Sequence, residues 1–250
     1  MVIGLLLPQP ANSQLQQLRH WSGQNVSPTF EGWEPNPDGT ASLWFGYMNR
    51  NFEEELDIPV GPDNTIEPGS DRGQPTHFLT RRHKNIFAVV VPKDFGDRTL
   101  VWTLTAHGKT ESVPGSLNPV FQIDRQRTTR GGNSENINSN LPPVVTVPLA
   151  DLVITRPGSA TLTVTATDDG LPQRRGKPVG MTAEWAKYRG PGVVSFKSPQ
   201  QMVENGKATT AASFSEPGTY VIQVVVDDGS RGNFGYNCCW TNAELRVTVK

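Results

Sequence analysis

Two short acidic motifs hold the side chains most able to do chemistry: Asp168-Asp169-Gly170 and Asp227-Asp228-Gly229. Four carboxylates gathered in one place repel one another unless a cation or an arginine stands between them, and hard oxygen ligands of this kind suit Ca²⁺. Arg174, Arg175 and Arg231 are the alternative partners. The plainer reading is turn chemistry, because Asp-Gly is favoured where a strand reverses and leaves its side chains in solvent. Just beyond the second motif, the stretch from Ser230 to Asn242 is long for a hairpin loop and carries Phe234, Tyr236 and Trp240. Such rings could stack on a sugar, anchor a protein partner, or fold back over the open end of a core. The same loop holds the two cysteines of the chain, Cys238 and Cys239. Adjacent cysteines cannot cross-link distant segments, so the options are a vicinal disulfide, two free thiols, or bridges between molecules. An oxidising compartment favours the vicinal disulfide, whose role would be to stiffen the loop.

The remaining reactive residues form no pattern as sharp. His20, His77, His83 and His107 lack zinc-ligand spacing and read as surface or sheet residues. Glu53, Glu54, Glu55 and Asp57 supply the residue type a glycan hydrolase uses, but consecutive acids lack the opposed geometry that acid–base catalysis needs. Arg81-Arg82-His83-Lys84 complements them in charge; solvated loops explain both runs, with mutual contact or an anionic-polymer site as the functional alternatives. No nucleophile elbow, phosphate loop or dinucleotide fingerprint occurs. With 23 Lys and Arg against 24 Asp and Glu, the net charge of −1 gives no electrostatic case for nucleic acid as a partner.

The elements that must position these residues read as strands. With 24 glycines and 21 prolines in 250 residues, the composition favours many short strands over helices. A length of 250 residues suits two sandwiches of roughly 100 residues each. In the first half, Leu43 to Tyr47, Ile86 to Val91 and Leu100 to Ala106 are apolar segments separated by turn chemistry such as Pro35-Asn36-Pro37-Asp38-Gly39. In the second half, Ala160, Leu162, Val164 and Ala166 alternate with hydroxyl-bearing residues, and Ala243, Leu245, Val247 and Val249 with charged or hydroxyl-bearing ones. Thr219 to Val226 places Tyr220, Ile222, Val224 and Val226 on one face between Pro217-Gly218 and the Asp-Gly turn. Counted with Met181 to Lys187, Val193 to Phe196 and Ala208 to Phe214, this half holds about seven strands, the immunoglobulin-like number. The expected fold class is therefore all-β: two immunoglobulin-like β-sandwich domains joined by a polar linker. The sandwiches are expected over 26–124 and 144–250 and the linker over 125–143, where Arg125 to Asn140 has one aliphatic residue and no periodicity. Residues 14–25 form an N-terminal extension, and 1–13, with the run Val2 to Leu7 and small residues at Ala11 and Ser13, read as the tail of a signal peptide lacking its basic region. No other segment approaches the ~20 apolar residues of a transmembrane span.

The series from Ala160 to Pro172, then Glu184-Trp185 with Gly190 to Phe196, then Phe214 to Gly229, resembles a PKD-type immunoglobulin-like domain, and Thr167-Asp168-Asp169-Gly170-Leu171-Pro172 is also similar to cadherin-like repeats. The resemblance covers 142–250 and implies a non-catalytic module of a secreted or cell-surface protein. In immunoglobulin order, the strand ending at Thr167 and the strand ending at Val226 deliver their loops to one pole, so the two Asp-Asp-Gly motifs are expected to approach each other across about sixty residues of sequence. The function expected is a secreted or periplasmic, non-enzymatic adhesion or binding module, with calcium as the one candidate cofactor and an extracellular polymer or protein as partner. The alternative is a structural subunit or spacer that self-assembles through its extension or edge strands.

Overall fold

The computed structural model describes residues 19–123, 140–171, 173–174, 176–230 and 238–250. The expected signal peptide and most of the expected linker lie outside them. Among the described residues there is no α-helix, only a single 3-10 turn at Pro119–Phe121, so none is long and apolar enough to cross a membrane.

The first domain opens with β1 (Val26–Pro35) and β2 (Ala41–Asn49), antiparallel neighbours whose reversal is fixed by Asp38, which accepts from the Thr40 amide at 2.9 Å. There follow β3 (Leu56–Asp57), β4 (Asn64–Glu67), β5 (His77–Phe78), β6 (Arg81–Val91), β7 (Thr99–Ala106) and β8 (Lys109–Ser116). They form a β1-β2-β6 sheet, a β4-β7-β8 sheet and a β3-β5 ribbon. Between the sheets lie Phe45, Phe78, Phe87 and Trp102, the Trp102 ring standing edge-on to Phe87 at 5.0 Å. Full burial of one such side chain contributes roughly 1.5–3 kcal/mol. β8 carries no apolar alternation and even contains Pro114. Its strand conformation comes from pairing with β7, not from its own composition.

The second domain comprises β9 (Val144–Thr146), β10 (Leu152–Ile154), β11 (Ser159–Thr167), the small hairpin β12 (Gln173–Arg174) and β13 (Lys177–Pro178), β14 (Thr182–Arg189), β15 (Val194–Phe196), β16 (Gln200–Met202), β17 (Lys207–Phe214), β18 (Gly218–Asp227) and β19 (Trp240–Val249). One sheet runs β15-β17-β11-β9, the other β10-β19-β18-β14-β16. The alternations read from sequence point inward: Leu162 and Val164 from one sheet meet Tyr220, Ile222, Val224 and Val226 from the other, with Trp185 closing the middle. Gly190 permits this packing. At φ +130 a Cβ there would lie 2.5 Å from the Tyr220 ring, so the turn after β14 can lie against that ring only with glycine. The fold is thus all-β, with two immunoglobulin-like sandwiches.

Alternation alone would leave the other face of β18 in water. Instead Gln223 is 4% and Val225 7% exposed, because this outer face is covered by the first domain.

Candidate functional site

Three polar clusters from β14 and one from its neighbours fasten the domains together. Lys187 is buried, and its ammonium donates to Asp57 at 2.9 Å and to the Gly192 carbonyl at 2.5 Å. Tyr188 belongs to the core of the first domain, and its hydroxyl donates to the Gly73 carbonyl. Arg189 forms a two-pronged pair with Asp71 at 2.8 and 2.9 Å and donates from Nε to the Gln74 carbonyl at 2.9 Å. The β-bulge between Lys187 and Arg189 is what lets consecutive side chains of β14 all reach the partner domain. Further along, the Ile86 carbonyl accepts from Gln223 at 2.9 Å and from Asn242 at 3.0 Å. Trp240 stands edge-on to Trp44 at 6.0 Å.

His77 is the centre of the polar part of this seam. Its Nδ1 lies 2.9 Å from Asp57 and its Nε2 3.1 Å from Glu55. Carboxylates accept and do not donate, so both ring nitrogens carry protons and the ring is an imidazolium. Burial works against that charge, but the bonds from Asp57 and Glu55 outweigh it and raise the His77 pKa above its ordinary value. The same pairing holds Glu55 below the usual carboxylate range, and Asp57 is likewise lowered by His77 and Lys187 against the cost of its own burial.

A cavity of about 460 Å³ opens beside this network, between the β3-β5 ribbon and the β15 side of the second domain. Glu55, Asp57, Glu184 and Gln200 line its polar side, and Val193, Val194 and Phe196 its apolar side. A shallower groove shares Glu184 and Gln200 and continues along the outer sheet face to Val225 and Asp227. The sequence singled out Glu55 and Asp57 for their chemistry but not Glu184, Lys187 and Gln200, which come from a segment more than a hundred positions away.

The predicted pole is assembled differently. Asp168 accepts from the Gly170 amide at 2.9 Å, Asp227 from Gly229 at 2.7 Å, and Asp228 from Ser230 at 2.9 Å, three turns each closed by its own aspartate. Asp169 accepts from the Leu171 and Leu141 amides, both at 2.9 Å, and Asp228, almost fully buried, accepts from the Asn140 side chain at 2.8 Å. Burial first, and then the charges of Asp169 and Asp228, raise the Asp168 carboxyl above the ordinary aspartate range. The two motifs do therefore meet in space. Among the described residues, however, no group of three or more His, Cys, Asp or Glu side chains is arranged to hold a metal ion.

Cys238 and Cys239 are bonded to each other, and both are buried beneath the incoming chain, with Cys239 Sγ 3.5 Å from the Asn140 carbonyl. Phe234 and Tyr236 lie outside the described residues. Trp240, for which ligand stacking and folding back over a core were both open, is only 3% exposed. It stands against Trp44 of the first domain, and a ring so buried is a piece of the seam and unavailable to a sugar.

No family model matches the chain, and no curated protein matches it. Solved structures do. A conjugative transposon lipoprotein from Bacteroides eggerthii is 15% identical, covering 42% of this chain and 96% of that one, at a TM-score of 0.31. Domains 4 and 5 of the S-layer protein SbsC are 14% identical over 90% of this chain and 98% of that one, at a TM-score of 0.28. The titin domains Z1Z2 in complex with telethonin are 12% identical over 90% and 96%, at a TM-score of 0.24. Identities this low speak to fold alone, and superpositions this loose add nothing to the site.

Proposed function

We propose that this chain is a non-enzymatic binding module that works outside the cytoplasm, and that its two sandwiches act as one body presenting the cleft between them to a protein or polymer. The observation that carries this reading is the seam. Lys187, Tyr188 and Arg189 each bond a segment of the first domain more than a hundred residues away, and the cleft is lined from both domains. Its volume falls within the ~300–1,000 Å³ of ordinary ligand sites. The acids best placed for catalysis, Glu55 and Asp57, are both engaged by one imidazolium, which favours recognition over proton transfer.

The reading is tested by probing a displayed random-peptide library and a printed glycan array with the full chain and with Val193→Asp, a change at a position 64% exposed. Ligands held by the unmodified chain and lost by the variant support the cleft. Ligands held equally by both overturn it.

Calcium at the pole is a second element of the proposal, favoured by the buried Asp168 Oδ1, which has no hydrogen-bond partner among the described residues and lies near the charges of Asp169 and Asp228. Thermal unfolding in Ca²⁺ and in EGTA decides it: a calcium-dependent rise in Tm, absent in Asp168→Asn with Asp228→Asn, sustains the site, and equal Tm values remove it.

A further inference from the structure

We infer that the cleft takes an extended basic peptide, added as a strand to the outer edge of β15. This deepens the reading above and rests on it. β15 is the terminal strand of its sheet, paired only with β17 among the described residues, so its other edge can accept main-chain hydrogen bonds from an added strand. The walls on either side differ in character. Val194 and Phe196 are partly buried apolar side chains at one side, and Glu55, Asp57 and Glu184 bring three carboxylates to the other. Successive side chains of a bound strand point to opposite faces, so alternating apolar and cationic residues match the two walls.

The charge balance selects the sign. Lys187 and His77 are the cations of the cleft, and both are already turned to Asp57 or Glu55. Glu184 is exposed and forms no ion pair among the described residues, leaving an unneutralised carboxylate midway between cavity and groove. The free strand edge favours a peptide over a cationic amino sugar, which has no main-chain donors and acceptors in strand register to pair with it.

The test is fluorescence anisotropy of the full chain with labelled ten-residue peptides of alternating valine and lysine, and of alternating valine and glutamate, with a chitosan oligomer as competitor. The expected result is binding of the lysine peptide only. Glu184→Gln should weaken it about tenfold at low salt, and salt near 0.5 M should weaken it further because exposed charges are screened beyond about one Debye length. Phe196→Ala, which leaves every charge in place, should also weaken it. Equal binding of the glutamate peptide, indifference to Glu184→Gln, or displacement by chitosan with no peptide binding overturns the inference. So does a concentration-dependent dimer in sedimentation that Glu184→Gln or Phe196→Ala abolishes, since the occupant is then a second copy. If the lysine peptide fails while library ligands still depend on Val193, only the inference falls; if nothing depends on Val193, the proposed function falls with it.

Discussion

The seam and the Asp pole both gather charged residues, but they do opposite things with them. At the pole each aspartate accepts from an amide two residues on, and Asp169 and Asp228 also from the chain arriving at Leu141 and Asn140, so these carboxylates close turns. At the seam the partners of Lys187 and Arg189 lie more than a hundred residues away, at Asp57 and Asp71, and the bonds hold two domains in register. Charge density alone therefore says little; the sequence distance to the partner separates a turn from a joint.

The largest effect should come from the seam's apolar anchor. Tyr188→Ala removes a ring from the core of the other domain and should destabilise the chain by about 3 kcal/mol, as other core truncations do. Denaturant unfolding should change from one cooperative transition to two, and a variant that still unfolds in one step would show that the domains are coupled elsewhere. Lys187→Ala should cost about 2 kcal/mol, below the range for fully buried pairs because Asp57 is half exposed and gains water when its partner leaves. A loss near zero would make the pair decorative.

The pH dependence should follow His77. Its pKa is raised on folding, so its contribution is fully present below the ordinary value near 6.5 and is lost as pH rises through the higher folded value. Stability should therefore fall as pH rises from about 6.5 to the folded value and level off beyond it, and His77→Gln should flatten the profile. The complementary loss lies at low pH, where the depressed Glu55 and Asp57 finally protonate. The smallest effect is expected at the pole: Asp169→Asn, at an exposed turn, should change stability by under about 0.5 kcal/mol. Asp228→Ala, which strips a buried acceptor from Ser230 and Asn140, should cost about 1–2 kcal/mol. An Asp169→Asn loss as large as that of Lys187→Ala would erase the contrast between turn and joint.

Much of the fold was legible in the chain because a sandwich core writes itself as alternation. Leu162, Val164, Tyr220, Ile222, Val224 and Val226 were all assignable to the inside from period-two patterning, and all are there. β8 was not, since a polar strand at a sheet edge carries no burial signal. The approach of the two Asp-Asp-Gly motifs followed from strand order. The burial of Trp240 did not, because a ring near a loop looks the same whether solvent or Trp44 lies beside it.

By itself, then, the sequence determined the elements, the inward faces and the turns, which depend on neighbours along the chain and on side-chain type. Only the tertiary structure decided that Gln223 and Val225 are covered, that His77 is a charged link between Asp57 and Glu55, and that a cleft forms beside β15. Those facts depend on where one domain's surface meets the other's, and neither periodicity nor local composition encodes that meeting.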